Sequence, residues 1–332
     1  MKDGNKERVL VTRLIPAAGI EALAKRYDVV VHRRDRPMTQ KEIISEIGNA
    51  VGVLCLLTDR IDGRVMDAAP GLVGIANYAV GFDNIDVAAA TSRGIPVSNT
   101  PGVLTDATAE LAVALIFACA RRLGEAERHL RSGTWRGWGP MQYLGADIRG
   151  ATLGIVGMGK IGRAVGKRGH GLGMRIVYFE EGPVDRSALG FPAEPVSLAD
   201  LLSRADFVSL HVPLNEKTRH LIGDKELLAM KPTTFLINTS RGPVVDEAAL
   251  ADALGRGTIA GAGLDVYEEE PKVNRRLLTL DNCVLVPHIG SATTTARANM
   301  ALMAATNLIA MIEGDEVPNL VNPDYVKNKR KR

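Results

Sequence analysis

Two sets of residues in this chain have the types and the spacing to do chemistry. The first is Gly157, Gly159 and Gly162, a G-x-G-x-x-G run. Apolar residues 153–156 lead into it; a helix-like stretch, a second apolar run over 175–179 and then Glu180 follow. Each glycine has a mechanical use. Gly157 permits a sharp turn off a strand, Gly159 lets backbone approach a pyrophosphate, and Gly162 lets the helix lie against the strand. The helix start, with Met158, Lys160 and Ile161 between and beside the glycines, offers unpaired N–H groups and a positive dipole end to phosphate oxygens. Glu180 stands where a carboxylate accepts hydrogen bonds from an adenosine ribose. A glycine turn alone is common. Strand, glycines, helix, strand and acid in that order form a dinucleotide signature.

The second set is Arg241, Glu270 and His288, each following a strand-like run, over 234–238, 259–266 and 284–287. In an open parallel sheet, ligands bind outside the carboxyl ends of the strands. If these strands are neighbours, the three side chains converge on the edge that holds the dinucleotide. A guanidinium can grip the anionic end of a substrate through forked hydrogen bonds. An imidazolium can give a carbonyl oxygen its proton as a hydride arrives, and a carboxylate beside it fixes the ring and favours its charged form. The set suits reduction of a carbonyl next to a carboxylate. Singly, each residue has a plainer reading: Arg241 as a phosphate contact at a helix start, Glu270 as a surface acid, His288 as filler at a strand end. Three together beside a dinucleotide signature favour catalysis. His211 also ends a strand-like run, with no acid at a comparable strand end, and reads as packing on the cofactor side.

The elements that must position these groups are legible in outline. Residues 9–11, 29–31, 51–57, 73–77 and 95–97 read as strands, and 16–26, 39–47 and 86–93 as helices, with Thr39 as a cap. The alternation implies a parallel sheet covered by helices. No glycine fingerprint follows its first strand, which makes this half the partner of a nucleotide domain. Residues 105–123 read as one long helix, apolar nearly all round and so buried in a core or an interface. Residues 131–143 hold both tryptophans, Trp135 and Trp138, in a loop-like stretch that is either a packed corner or a loop for dimer contact or substrate covering. A second βαβ series begins near residue 150, and residues 291–313 form a long helix able to return to the first domain. The predicted fold is α/β, with two Rossmann-like or flavodoxin-like parallel-sheet domains and a cleft between them. Residues 1–101 with 291–332 make a discontinuous substrate-binding domain, and 102–290 an NAD-binding domain.

Composition narrows the function classes. A chain of 332 residues suits two domains, and 46% apolar with 24% charged residues is ordinary for a globular protein. The aromatic share of 4% gives few platforms for stacking bases, which argues against nucleic acid. The net charge of +3 depends on Lys327, Lys329, Arg330, Lys331 and Arg332, read as a solvated end in preference to a nucleic-acid or membrane contact. The charged N-terminus shows no signal peptide, and the apolar run 111–120 is too short to span a bilayer. Cys55, Cys119 and Cys283 sit in apolar runs and read as reduced, buried thiols, which points to the cytoplasm. The histidines form no metal-ligand spacing, so no metal is expected.

Several longer motifs carry a resemblance. They are Tyr78-Ala79-Val80-Gly81-Phe82-Asp83-Asn84-Ile85-Asp86, Asn99-Thr100-Pro101-Gly102, residues 103–110, the glycine run, Asn238-Thr239-Ser240-Arg241-Gly242, Glu269-Glu270-Pro271 and Pro287-His288-Ile289-Gly290-Ser291. In this order they resemble the D-isomer-specific 2-hydroxyacid dehydrogenases over nearly the whole chain, most closely the glyoxylate and hydroxypyruvate reductases. The resemblance implies Arg241 as substrate clamp, His288 as acid/base and Glu270 as its partner. It implies backbone N–H groups near Val80 and Gly81 as a cradle for the substrate carboxylate. Thr108, Pro213, Thr239, Asp265 and Gly290 would surround the nicotinamide half, with Thr218, Asn238 and Ser240 counted among the cofactor contacts. It also implies a homodimer formed around the helix that starts near Thr105.

Departures from relatives shape the expectation. Many of these reductases carry a small polar residue and then Arg or Lys where Glu180-Glu181 stand; two acids there would repel a 2′-phosphate, so NADH is expected over NADPH. The loop 138–143 differs in length and sequence from some of those reductases, leaving the 2-oxo acid open. Phosphite dehydrogenases look similar but carry Lys at the position of Val80, formate dehydrogenases carry Gln at that of Glu270, and phosphoglycerate dehydrogenases usually add a regulatory domain. The alternatives are a phosphite-dehydrogenase-like enzyme and, from another class, an NAD-sensing corepressor-like scaffold that keeps the same three side chains.

Overall fold

The structure, a computed structural model, describes residues 6–328. The chain begins β1 (Arg8–Val11), α1 (Ala17–Ala24), β2 (Asp28–Val31), α2 (Gln40–Ile47), β3 (Ala50–Leu56), α3 (Gly63–Asp67), β4 (Gly74–Tyr78), α4 (Val87–Ser92) and β5 (Val97–Ser98). It continues α5 (Thr105–Ala120), α6 (Leu123–Arg131), β6 (Thr152–Val156), α7 (Lys160–Gly171), β7 (Arg175–Phe179), β8 (Glu194–Pro195), α8 (Leu198–Arg204), β9 (Phe207–Leu210) and α9 (Asp224–Ala229). It closes with β10 (Phe235–Asn238), α10 (Glu247–Arg256), β11 (Gly261–Leu264), β12 (Cys283–Leu285) and α11 (Thr294–Glu313). The chain divides into two compact units, one of residues up to Leu104 together with those from Ala292 onward, the other Thr105–Ser291.

In the first unit a parallel sheet has the order β2-β1-β3-β4-β5. Its helices start where a side chain can accept the first free N–H groups: Thr39 and Glu42 form a capping box on α2, and Asp62 and Asp86 cap α3 and α4. Helix α11 belongs to this unit because its small residues permit close approach. A Cβ at Gly19 of α1 would stand 2.6 Å from the Ala301 carbonyl oxygen. Asn322 then ties the chain end to the sheet edge, accepting from Val97 N–H at 2.7 Å and donating to the Ile95 carbonyl at 3.0 Å.

In the second unit the parallel order is β12-β11-β10-β9-β6-β7-β8. The chain starts at β6 and builds outward in both directions, so a switch point lies between β6 and β9, outside whose carboxyl ends a ligand site is expected. Asn238 pairs with Leu264, and Leu264 with Leu285. The ends of β10, β11 and β12 are therefore level, and the segments carrying Arg241, Glu270 and His288 leave from one edge.

Residues 105–123 do not form one helix. α5 ends at Ala120, Arg122 takes a left-handed backbone with φ 51°, and α6 starts at Leu123. Arg122 is held in that turn by a forked pair of 2.8 Å bonds to Glu125. Both tryptophans are exposed, Trp138 to 83%, so the stretch is not a packed corner of this chain. The three cysteines are buried. Among the described residues no helix is long and apolar enough to cross a membrane. Of the basic tail, Lys329, Arg330, Lys331 and Arg332 lie outside the described residues, as do residues 1–5 of the N-terminus.

Candidate active site

The glycine turn joins β6 to α7. Gly157 has φ +97°, a conformation that L side chains rarely adopt, and a Cβ there would also meet the His211 backbone at 2.7 Å. A Cβ at Gly162 would run into the Gly157 carbonyl, so the helix can lie this close only with glycine. Gly159 is the N-cap of α7 and receives no side-chain cap, and the space where its Cβ would point is open. Open space, a helix start without a side-chain cap and a backbone brought to the surface are what a pyrophosphate needs. Lys160 is exposed there, Ile161 half-buried and Met158 buried. Glu180 is exposed at the end of β7, and one of its oxygens accepts the Met158 N–H at 2.8 Å, which fixes the carboxylate beside the turn. Glu181 is paired with Lys217 at 3.4 Å.

His211, at the end of β9, backs this turn. Its N–H donates to the Val156 carbonyl at 2.7 Å and its Nε2 lies 2.8 Å from the Ser209 hydroxyl. Burial pulls its pKa down to about 3, so the ring is neutral at ordinary pH. The Thr218 hydroxyl donates to the Pro213 carbonyl at 2.6 Å and accepts the Asn215 N–H at 2.9 Å, closing a small turn.

Asn238, buried at the end of β10, shapes the Arg241 loop. Its carbonyl oxygen accepts from the Ser240 N–H at 3.0 Å and hydroxyl at 2.8 Å, and its amide donates to the Arg241 carbonyl at 2.9 Å. The Arg241 guanidinium donates to the Ser240 carbonyl at 2.9 Å. The Thr239 hydroxyl is buried with no hydrogen-bond partner, an orphan that fits a polar ligand group at this edge.

The His288 loop hangs on Asp265, which is almost fully buried at the end of β11. Its carbonyl accepts the His288 N–H at 2.9 Å, and its carboxylate accepts from Ile289 at 2.6 Å and Gly290 at 2.8 Å. Burial raises the Asp265 pKa, against the lowering by those N–H groups and by His288. The Thr108 hydroxyl donates to the Gly290 carbonyl at 3.2 Å, so Thr108, Asp265 and Gly290 do come together.

Nδ1 of His288 meets a Glu270 oxygen at 2.8 Å. The second Glu270 oxygen accepts the Tyr267 N–H at 3.1 Å, and the Tyr267 hydroxyl donates to the Val286 carbonyl at 2.9 Å. Burial pushes the Glu270 carboxyl up, but the hydrogen bond and charge of His288, the Tyr267 N–H and the Arg241 charge outweigh it and hold the carboxyl below its ordinary value. Arg241 thus acts on the same pair through its field. The result is a carboxylate, an imidazole held through Nδ1, and a guanidinium at one sheet edge.

In the first unit, Val80 and Gly81 follow β4. The Val80 carbonyl accepts from the Asn99 amide at 2.7 Å, and the Gly81 carbonyl from the Asn77 amide at 2.8 Å. In a planar trans peptide N–H and C=O point opposite ways, so the Gly81 N–H points away from Asn99. Sequence reasoning missed Asn77 as an organiser, and also Tyr267 and Glu247. A signal for the asparagine was available: Asn77, like Asn238, ends an apolar run, where an amide can tie the outgoing loop with donor and acceptor together.

Comparisons with known proteins identify the family. The family described as D-isomer specific 2-hydroxyacid dehydrogenase, NAD binding domain, matches residues 113–290. A protein named glyoxylate reductase from Thermococcus litoralis is 50% identical over 325 residues, 97% of this chain and 98% of that one. Another of that name from Korarchaeum cryptofilum is 50% identical over 324 residues, again 97% and 98%. Among solved structures, a protein from Thermus thermophilus superposes with a TM-score of 0.89 at 47% identity, covering 95% of this chain and 99% of that one. An NADPH-dependent glyoxylate/hydroxypyruvate reductase from Sinorhizobium meliloti, in complex with NADP and malonate, gives 0.86 at 34% identity, covering 99% and 100%. On this likeness and on its own dinucleotide turn, the chain belongs to the D-isomer specific 2-hydroxyacid dehydrogenase family and is a nicotinamide-dependent oxidoreductase.

Proposed function

We propose that this enzyme reduces a small 2-oxo acid, glyoxylate or hydroxypyruvate, to glycolate or D-glycerate. The observation that carries the reading is the 2.8 Å contact between Nδ1 of His288 and Glu270 at the edge that also bears Arg241. The nicotinamide supplies the hydride. His288 gives the proton from Nε2 to the carbonyl oxygen and is left neutral, so the product is an alcohol beside an unchanged carboxylate. Glu270 holds the ring and stabilises its charged form before transfer. Arg241 grips the substrate oxygens through its planar fork. The N–H groups at Val80 and Gly81 take the substrate carboxylate. The names borne by the relatives support the substrate class.

The dinucleotide would lie on Gly157, Gly159 and Gly162, with Glu180 toward the adenosine ribose, and NADH is the preferred form. A homodimer is supported by exposed apolar side chains on α6 and the following loop, namely Leu123, Leu130, Trp135, Trp138, Met141 and Leu144. Sedimentation at the mass of one chain would remove the dimer. The deciding experiment for the activity is a turnover panel with NADH and NADPH against glyoxylate, hydroxypyruvate, pyruvate and larger 2-oxo acids. Negligible turnover across the panel would leave the scaffold reading in place, and dinucleotide reduction by phosphite would favour the phosphite one.

A further inference from the structure

Glu247 is the first residue of α10, and its carboxylate is buried although nothing assigns it a task. Asp246 already caps the helix, accepting from Ala248 at 3.1 Å and Ala249 at 3.0 Å. Glu247 reaches away from its own helix. One oxygen accepts the Glu268 N–H at 2.8 Å and the other accepts the Asn274 N–H at 2.6 Å. In return the Glu247 N–H donates to the Glu268 carboxylate at 3.3 Å, whose other oxygen meets Nε2 of His220 at 2.6 Å. Between the two clamped amides the chain closes a turn, with Lys272 N–H on the Glu269 carbonyl at 2.9 Å, and Glu270 lies inside that turn.

We infer that Glu247 is a positioning residue for the acid–base pair: it fixes the 268–274 loop from both sides so that Glu270 meets His288. This rests on the proposed roles of Glu270 and His288. The chemistry at the latch is specific to a carboxylate. Two N–H donors converge on two oxygens in a buried place, and a carboxylate is the side chain that accepts on both. The helix N-terminus favours its charge. An amide offers one acceptor and turns its NH2 toward the second donor, leaving that N–H unpaired. With the latch open, the loop keeps the Glu268 bonds to His220 and to the Glu247 N–H and the bonds of Glu270 itself, but loses the two that fix its backbone at residues 268 and 274. A catalytic group displaced by about an ångström costs on the order of a hundredfold in rate.

The test is a double-mutant cycle on the full chain, with glyoxylate and NADH as probes. Glu247→Ala should lower kcat for reduction by about ten- to hundredfold. It should leave the dissociation constant for NADH, read by fluorescence, within about twofold of wild type, and should move the alkaline limb of the reductive profile toward that of Glu270→Gln. Placed on Glu270→Ala, which removes the contact with His288 altogether, the same change should cost less than about twofold, because the position it secures no longer matters. Glu247→Gln serves in the same cycle where Glu247→Ala does not fold. Losses that multiply, or a kcat loss matched by weakened NADH binding, overturn the inference. His288→Ala run alongside separates the two readings: if it keeps its turnover, the proposed acid–base role fails, whereas if it loses turnover and the cycle is additive, only the latch fails.

Discussion

Glu270 joins His288 to a second loop: one carboxylate oxygen meets Nδ1 of the imidazole at 2.8 Å, and the other takes the Tyr267 N–H at 3.1 Å. The ring is thereby held through Nδ1. Because the carboxyl is held below its ordinary value of 4.5, it stays ionised through mildly acid pH, and the contribution of the pair to stability is lost only as pH falls through that lowered value. Glu270→Gln keeps the shape and removes the charge, so the alkaline limb of the reductive kcat profile should move to lower pH. His288→Ala should cost at least about a hundredfold in kcat. A pH profile for Glu270→Gln that overlays wild type counts against the pairing.

Arg241→Lys keeps a positive charge and loses the fork. KM for the 2-oxo acid should rise and kcat fall by about tenfold or more each, since a lysine makes one point contact where the guanidinium makes two parallel ones. The NADH dissociation constant should not move. Steady-state kinetics within about threefold of wild type would remove Arg241 from the substrate site.

Glu180 is fixed beside the glycine turn by the Met158 N–H, and on the proposed placement of the dinucleotide its negative charge faces the 2′-phosphate of NADPH. A repulsion of about 1–3 kcal/mol corresponds to roughly tenfold to hundredfold preference for NADH in kcat/KM. Glu180→Ser with Glu181→Arg should narrow or reverse that ratio. Equal efficiency with NADPH in the wild type would refute the assignment.

His211 offers a stability test independent of catalysis. Its folded pKa is about 3 against an ordinary 6.5, so below pH 6.5 the unfolded chain takes up a proton that the folded chain refuses. Stability from this residue is complete above pH 6.5 and drains away as pH falls toward 3. Between pH 6.5 and 5 the wild type should lose about 1–2 kcal/mol more than His211→Gln does. Urea unfolding at the two pH values reads the difference, and parallel losses would mean that the ring is not held neutral.

What the sequence determined by itself was the set of local devices. The glycine turn is legible because Gly157 and Gly162 answer constraints that lie within a short stretch, a positive φ and a close helix–strand approach. The Thr39–Glu42 capping box and the alternation of apolar runs with helical patterns are local in the same way, and they give the parallel sheets. Position after a strand, taken for three residues together beside the dinucleotide signature, singled out Arg241, Glu270 and His288, since the carboxyl edge of a parallel sheet follows from topology. What only the tertiary structure decided was which atoms meet. The level register of β10, β11 and β12, the burial that keeps His211 neutral, and the Glu247 clamp on the 268–274 loop all join residues far apart in the chain. Their spacing carries no period, because contacts between distant segments are set by packing and by the need to pair every buried polar group, and neither leaves a local pattern to read.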